Sequence, residues 1–298
     1  MMKKKNISRR EFIKTGAVGA AAGSLALAWP LKLPAQTRAK TRVVLIRDRD
    51  VIDENGAIRS DHVHAMLDEA LKTLLGEKDA LRAWKKIVKP DDIVGIKSNV
   101  WRSLPTPPAV EEAIRKSVLA AGVQAKNISV RDRGVLGDPV FMKATALINV
   151  RPMRTHDWSG LGTLLKNYIM FVPDPPRFHS DSCADLAALW QLPEVKGKTR
   201  LNVLVMLTPL FHSVGPHGFN PAYVWQYNGL LVGLDPVAVD SVGARIIQAR
   251  RREFFGTDRP INPPPKHIEL ADSRHHLGTA DPNKIELVKL GWTEGVLI

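Results

Sequence analysis

Residues 92–132, DIVGIKSNVWRSLPTPPAVEEAIRKSVLAAGVQAKNISVRD, decide the fold class of this 298-residue chain. Their first seven residues form a short apolar run that is typical of a buried strand. Thr106, followed by two prolines, early glutamates and a closing Gly122, predicts a helix. Residues 127–132 then predict a second strand. A strand, a helix and a strand of this length form the unit from which parallel sheets are built.

The same alternation continues on both sides of this unit. It predicts an α/β fold whose mainly parallel sheet is flanked by helices, in three layers. The further predicted strands are Thr41 to Arg47, Ala144 to Val150, Leu201 to Leu207 and Leu230 to Leu234, and the further predicted helices lie at about 60–76, 79–88, 185–192 and 235–255.

The first 30 residues have the features of an export signal. The stretch SRREFIK at 8–14 precedes a mild apolar run at 16–28. A basic region, a short apolar run and small residues are typical of a signal peptide, and paired arginines indicate the twin-arginine route. We therefore expect a periplasmic or otherwise exported protein that engages the twin-arginine export machinery, with cleavage after Ala28 or Ala35.

The signal also sets the expected domain organisation. Residues 1–39 are predicted to be the signal and a linker, and residues 40–298 a single α/β domain with a proline-rich C-terminal extension that contains PINPPPK at 260–266. The apolar run of the signal is shorter than the about 20 residues of a transmembrane helix, and no later stretch is long enough. We therefore expect no stable transmembrane anchor.

Charge and cysteine content exclude several classes of function. The first 39 residues contribute +7 of the net charge of +13, which leaves +6. With no recognition motif present, we expect no nucleic-acid partner. The single cysteine, Cys183, cannot form an internal disulfide, and one chain cannot hold a four-cysteine iron–sulfur cluster with it. Twin-arginine export carries folded proteins, which favours a cofactor without naming one.

Polar residues follow the predicted strands. Lys97 and Asn99 come at the end of one strand, Asp132 at the end of the next, and Arg151 and Arg154 after a third. Ligands of such sheets bind beyond the carboxyl ends of the strands. Converging cations and amides suit a carboxylate or a phosphate. The alternative is that these loops are polar without a function, as most loops are.

The stretch MRTHDWSGLGTLLKNYI at 153–169 predicts an anion site. Ser159 is a reasonable N-cap for a helix that continues to about Phe171. Gly160 and Gly162 would leave the backbone amides of its first turn free to bind an anion.

Three further side chains of this stretch are candidates for the same site. His156 precedes the predicted helix, and Lys166 and Asn167 lie inside it. A histidine suits proton transfer, since its unperturbed pKa is about 6.5. The alternative is a surface helix with a solvated lysine and a hydrogen-bonded loop histidine.

The loop FHSVGPHG at 211–218 carries a weaker candidate, a metal site formed by His212 and His217. Imidazoles are common metal ligands, but the spacing matches no dedicated metal motif. Nucleophile-elbow, phosphate-loop and dinucleotide-binding motifs are all absent, which disfavours common hydrolase and nicotinamide chemistry.

With these residues in view, the chain resembles the family known as domain of unknown function 362. Members look like α/β proteins, and some are fused to ferredoxin-type modules, which suggests a possible redox partner by analogy. The lone cysteine argues against such a module here. The resemblance rests on GIKSNVW at 95–101 with TPPAVEEAIRKSVLAAG at 106–122, LINVRPMRTH at 147–156, GLGTLLKNYI at 160–169 and LDPVAVDSVGARI at 234–246.

The resemblance implies that the matching polar residues share one site. Two departures are Arg154, where the family has a lysine, and an apolar residue around Val205, where an aspartate is often present; the second weakens a carboxylate-based metal site. The matching positions are Lys97, Asn99, His156, Lys166, Asn167, Asp235 and Asp240.

These observations favour an exported enzyme or cofactor protein that binds an anionic small molecule or an organic cofactor of unknown identity. His156 and Lys166 are the catalytic candidates. Binding is expected from Lys97, Asn99, Gly160, Gly162, Asn167 and Asp240. The alternatives are a non-catalytic periplasmic protein that binds a solute or a metal, and a structural protein whose motifs mark the fold alone.

Overall fold

A computed structural model describes residues 39–213 and 218–298, and an eight-stranded sheet forms the centre of this part of the chain. The strands are β1 (Thr41–Arg47), β2 (Val94–Lys97), β3 (Ile128–Arg131), β4 (Ala146–His156), β5 (Gly160–Gly162), β6 (Thr199–Leu210), β7 (Gly229–Gly233) and β8 (Ile285–Gly291).

The order of the strands across the sheet is β3-β2-β4-β6-β7-β1-β8, and β5 pairs only with β4. The pairs β2–β3, β2–β4, β4–β6 and β1–β8 are parallel. β7 runs antiparallel to both of its neighbours, as β5 does to β4. The predicted mainly parallel sheet is confirmed.

The helices of the described ranges begin and end largely where sequence signals predict. Asp79 caps α2 by accepting a hydrogen bond from the amide of Arg82, and Gly76 ends α1 with φ 67°. Asp235 caps α6, whose first residue is a proline. The helices are α1 (Ser60–Leu75), α2 (Ala80–Ile87), α3 (Pro108–Ala120), α4 (Pro139–Met142), α5 (Leu164–Asn167), α6 (Pro236–Phe255) and α7 (Lys266–Ser273).

Two hydrophobic cores cover the two faces of the sheet. Val43 and Leu45 of β1 belong to the core that includes α6 and α7. Val44 and Ile46, which alternate with them, belong to the core that includes α1, α2 and α3. Because successive strand side chains point to opposite faces, this alternation produces helix, sheet and helix layers, and the three-layer α/β fold is confirmed.

The largest difference from the predicted elements is between residues 151 and 171. The strand predicted to end at Val150 continues as β4 to His156, and every residue of β4 is buried. Its last six residues, RPMRTH, contain only two apolar residues, which hides a buried strand from a hydrophobicity pattern.

The helix predicted from Ser159 to Phe171 is wrong in its first half. Residues 160–162 form β5, and only the four residues of α5 and a 3-10 turn at Tyr168–Phe171 are helical. Gly160 has φ 69°, which turns the chain back so that β5 pairs with β4. Similarly, the helix predicted near 185–192 is a 3-10 helix, Leu186–Gln191.

The C-terminal residues complete the sheet. β8 pairs with β1 over seven residues, so this segment contributes an edge strand. The predicted export signal lies outside the described residues. Within them, we find no helix that is both long and apolar enough to cross a membrane.

Candidate functional site

A cluster of buried polar side chains lies where β2, β3 and β4 reach their carboxyl ends. Each member is at most 7% exposed, which is unusual for ionisable groups, since these are rarely buried without a partner or a function. We refer to it as the polar cluster. Its members are Lys97, Asp132, Asn149, Arg151, Arg154, His156, Lys166, Asn167 and Asp240.

Lys97 is fully paired inside the protein. Its ammonium donates to Asp132 Oδ1 at 2.6 Å and to the carbonyl of Ser98 at 2.8 Å. Burial lowers the pKa of Lys97 to about 8, against the opposing effect of the Asp132 carboxylate. Burial alone would raise the pKa of Asp132, but Lys97 and the amide of Val100 hold it below its usual value. Lys97 therefore has little capacity left for a ligand.

Asn167 is also committed to internal contacts. Its amide group donates to the carbonyls of Lys97 and Val150, at 3.0 and 3.1 Å, and to Asn149 Oδ1 at 2.8 Å. Asn149 in turn donates to the carbonyl of Leu164 at 3.1 Å. These bonds tie α5 to β2 and β4, so both asparagines position the cluster.

Asp240 occupies the amides that were predicted to seat an anion. Its carboxylate oxygens accept from the amides of Leu164 and Leu165 at 3.0 and 2.9 Å. Burial raises the pKa of Asp240 to about 7, although these amides act against the rise. The chain's own carboxylate therefore caps α5, and a ligand anion has no access to those two donors.

The two glycines of β5 have packing roles. At Gly160 a Cβ would lie 2.0 Å from the carbonyl oxygen of Pro263, so no side chain fits. At Gly162 a Cβ would lie 2.8 Å from Nη2 of Arg151. The helical turn predicted at these glycines is wrong, because both residues lie in a strand, and anion binding by their amides stays a prediction. Gly162 instead makes room for the guanidinium of Arg151.

Arg151 stands out because it is buried and, among the described residues, its Nε has no hydrogen-bond partner. It is 3% exposed. Burial lowers the pKa of Arg151 to about 10, against the attraction of Asp132 and Asp240. An unpaired buried guanidinium costs several kcal/mol, roughly, relative to a hydrogen-bonded one.

Lys166 is the second cation whose bonding is incomplete. Its ammonium contacts Cys183 Sγ at 3.4 Å and, in the described ranges, forms no ion pair. Burial lowers the pKa of Lys166 to about 8, and the positive charge of Arg151 adds to this effect. Burial raises the pKa of the Cys183 thiol, so this partner is a neutral group.

His156 is a neutral imidazole beside these cations. Burial, followed by the charges of Lys166, Arg151 and Arg154, moves the pKa of His156 far below its usual range. Its Nδ1 lies 3.2 Å from the amide of Trp158, which donates to it, and 3.0 Å from Asp157 Oδ1. The ring is therefore oriented by its neighbours, as a proton-transfer group requires.

An aromatic pair, Trp158 and His179, lies beside this part of the cluster. Trp158 is 42% exposed, and its ring centroid lies 4.1 Å from that of His179 and 5.7 Å from that of His156. Burial and the charge of Lys166 lower the pKa of His179 to about 4. Lys166 is thus within electrostatic reach of a partly exposed side chain.

Asn99 joins the cluster through Arg154. Its Oδ1 accepts from Arg154 Nη2 at 2.9 Å, and the guanidinium carbon lies 4.5 Å from the centroid of the Trp101 ring. The sequence thus places Asn99 correctly near the cations, but its side-chain oxygen faces an internal partner.

The histidine loop is the weakest of the predicted sites. Nδ1 of His212 lies 2.9 Å from a guanidinium nitrogen of Arg251, and burial and that charge lower the pKa of His212. His217 lies outside the described residues. Within the described ranges, no three His, Cys, Asp or Glu side chains are grouped to hold a metal ion.

Arg151 and Cys183 are the residues whose roles sequence reasoning missed. Arg151 directly follows Val150, where the predicted strand ends, so the sequence predicts only one of several cations in a loop. Cys183 lies in a turn where Asp181, Ser182 and Cys183 all have positive φ, between 49° and 61°, and no sequence rule predicts such a turn. In the structure Cys183 contacts Lys166, and the charge of Arg151 acts on the pKa of Lys166.

Comparison with protein families identifies the segment that holds most of this cluster. Residues 132–245 match the model of a domain of unknown function, DUF362. This part of the chain is therefore similar to DUF362 domains. The resemblance inferred from the motifs is confirmed, and the DUF362 match contains Arg151, His156, Lys166 and Asp240, whereas Lys97 and Asn99 lie before it.

The N-terminal residues give a second match. Residues 6–26 match the twin-arginine translocation pathway signal sequence. The protein is therefore exported by the twin-arginine route, to the periplasm or beyond it, and engages that machinery, as predicted. No curated protein and no solved structure matches the chain significantly.

Proposed function

We propose that this exported DUF362 protein is an enzyme or cofactor protein that binds a small anion within the polar cluster, with Arg151 as the principal anchor. The observation that carries the proposal is the side chain of Arg151, which is 3% exposed and whose buried Nε has no hydrogen-bond partner in the described part of the chain. A carboxylate or a phosphate satisfies such a group with two parallel charge-assisted hydrogen bonds.

The charges of the cluster support this proposal. Lys97, Arg151, Arg154 and Lys166 are buried cations, whereas Asp132 and Asp240 are the carboxylates of the cluster. Both carboxylates already accept internal hydrogen bonds. A ligand anion would offset the remaining positive charge, because buried charges are stable when paired.

The arrangement favours catalysis over storage of a solute. His156 is oriented and neutral and lies beside Lys166, Arg151 and Arg154, so it can relay a proton by taking one up on one ring nitrogen as it releases one from the other. A solute-binding protein needs the guanidinium but gains nothing from such an imidazole. The identity of the anion and the reaction follow from the experiment below.

Native mass spectrometry of the protein exported by its own host, with metal analysis of the same sample, tests the proposal. Arg151→Met is the test variant, and Arg200→Met, which removes an exposed arginine of β6, is the matched control. We expect a bound mass in the wild type and in Arg200→Met that is lost in Arg151→Met.

Thermal unfolding in the presence of phosphate, sulfate, citrate or glyoxylate detects ligands that bind too weakly to remain bound during purification. We expect at least one of these anions to raise the melting temperature of the wild type, and none to do so in Arg151→Met. If the wild type shows no bound mass and no anion response, or if Arg151→Met retains either, the proposal is wrong.

A further inference from the structure

Lys166 has the surroundings of a reactive amine. A buried lysine normally has a carboxylate partner, as Lys97 has Asp132. Lys166 instead contacts the neutral thiol of Cys183 at 3.4 Å. Its position is not that of a surface side chain that happens to be covered, because only 3% of it is exposed.

We infer that Lys166 is a nucleophile that forms an imine with a small oxo acid, whose carboxylate is bound by the guanidinium of Arg151. The inference rests on the proposed function, since it names the class of anion and adds a covalent step. The carboxylate-binding group and the amine come from β4 and α5, which are joined by the hydrogen bonds of Asn149 and Asn167.

The step balances without an oxidant or a reductant. The lone pair of the neutral Nζ forms a bond to the carbonyl carbon, and the carbonyl oxygen takes up a proton. The bond between carbon and that oxygen then breaks, and the oxygen leaves as water with the two hydrogen atoms of the amine. His156 is a neighbouring group that can relay these protons.

The surroundings keep part of the amine neutral at physiological pH. With the pKa of Lys166 lowered to about 8, roughly a tenth of the amine is free at pH 7. An ordinary lysine has about 300-fold less free amine at that pH. The titratable and charged groups around Lys166 are Arg151, His156, Asp157, His179, Cys183 and His267.

Cys183 is a poorer nucleophile in the same place. Burial raises the pKa of its thiol, and the charge of Lys166 lowers it only in part. Thiols react as thiolates, so a protonated Cys183 does not compete with a partly neutral amine. The contact between them leaves Lys166 as the group that reacts with a carbonyl.

Reductive trapping of the full-length mature protein tests this inference. Glyoxylate carries an aldehyde and a carboxylate, and cyanoborohydride converts its imine with lysine into a stable carboxymethyl adduct that peptide mass spectrometry locates. Acetaldehyde is the matched probe without a carboxylate. Exposed Lys116 of α3 provides the reference rate within the same molecule.

We expect glyoxylate to label Lys166 roughly 10-fold or more faster than Lys116 at pH 7, given the larger fraction of free amine. Arg151→Met should slow labelling of Lys166 by glyoxylate more than by acetaldehyde, because acetaldehyde is slowed only by the higher pKa of Lys166 in the absence of the Arg151 charge, whereas glyoxylate also loses its carboxylate-binding group. Lys166→Arg, which keeps the positive charge, should lose the fast adduct while its circular dichroism spectrum remains that of the wild type.

Equal labelling of Lys166 and Lys116, or a fast adduct that survives in Lys166→Arg, overturns the inference. This failure is distinct from failure of the proposed function. If an anion remains bound through Arg151 while Lys166 stays unlabelled, the cluster binds anions without imine chemistry. If Arg151→Met changes no anion binding, the proposed function itself fails.

Discussion

Lys97 and Lys166 are two buried lysines of one cluster, and burial lowers the pKa of each to about 8. Their partners differ. Lys97 donates to a carboxylate at 2.6 Å and to a carbonyl at 2.8 Å, whereas Lys166 contacts one thiol. A similar pKa therefore accompanies two different surroundings: Lys97 is paired with groups of the internal framework, whereas Lys166 is the lysine that we propose reacts with a ligand.

The difference follows from what lies across from each ammonium. Asp132 follows β3, the neighbour of β2, so it faces Lys97 wherever this parallel pair forms. Lys166 faces Cys183, which a left-handed turn presents to it. A cation held without its counter-charge costs stability, and such a cost persists where function requires it.

The largest expected contrast is between the changes in the free energy of unfolding when each lysine is replaced. Lys97→Met leaves the Asp132 carboxylate buried without its cation, and we expect a loss of about 3–5 kcal/mol in the free energy of unfolding. Lys166→Met removes an ammonium that forms no ion pair in the described ranges, so we expect no loss or a small gain. Urea unfolding at pH 7 measures both. Equal losses would show that Lys166 is as much a structural residue as Lys97.

The same contrast shows how far the sequence leads. Lys97 and Asn99 are found from a predicted strand end, and His156, Lys166 and Asn167 from the stretch at 153–169 and the family resemblance. The order of strands and helices follows from hydrophobic patterns. The partners are not found in this way. Asp240 reaches the amides of Leu164 and Leu165 from 75 residues away or more, and no local pattern predicts that pairing.

Local propensity also misdirects the prediction at β5. A serine followed by glycines and leucines resembles the start of a helix. The positive φ of Gly160 and the pairing of Thr155 with Leu161 favour a short strand instead. Tertiary pairing with β4 thus overrides a helix signal in which the two glycines are the least favourable residues.

Asp240 should make the free energy of unfolding depend on pH, and we expect this effect to be of intermediate size. Its folded pKa of about 7 lies above the unfolded value of about 3.9, so the native protein binds the extra proton between these values. The contribution of this group to stability is therefore full at low pH and is lost as the pH rises towards 7. Asp240→Asn does not titrate and should lack this dependence.

Urea unfolding of both proteins from pH 4 to pH 8 tests this expectation. We expect the wild type to be more stable than Asp240→Asn at pH 4, where the protonated acid accepts and donates hydrogen bonds. The difference in their free energies of unfolding should narrow as the pH approaches 7. A constant gap over this range would mean that Asp240 is ionised throughout, and that the cations of the cluster stabilise it more than burial destabilises it.

The smallest effect is expected at Cys183, where it bears most directly on Lys166. Cys183 acts to raise the pKa of Lys166, so Cys183→Ala should lower that pKa below about 8. The rate of glyoxylate labelling at Lys166 should then rise several-fold at pH 6, because each pH unit below the pKa reduces the free amine roughly 10-fold. The loss in stability should be about 1 kcal/mol, as for one weak hydrogen bond.

Cys183→Ser is the matched control, since a hydroxyl still accepts a hydrogen bond from the ammonium. Its labelling profile should keep a midpoint near that of the wild type, while that of Cys183→Ala shifts to lower pH. If the midpoint of the labelling profile shifts equally in both variants, the thiol acts through its charge or its size and not as a hydrogen-bond acceptor. If neither shifts, Arg151 and burial alone set the state of Lys166, and its contrast with Lys97 comes entirely from the missing carboxylate.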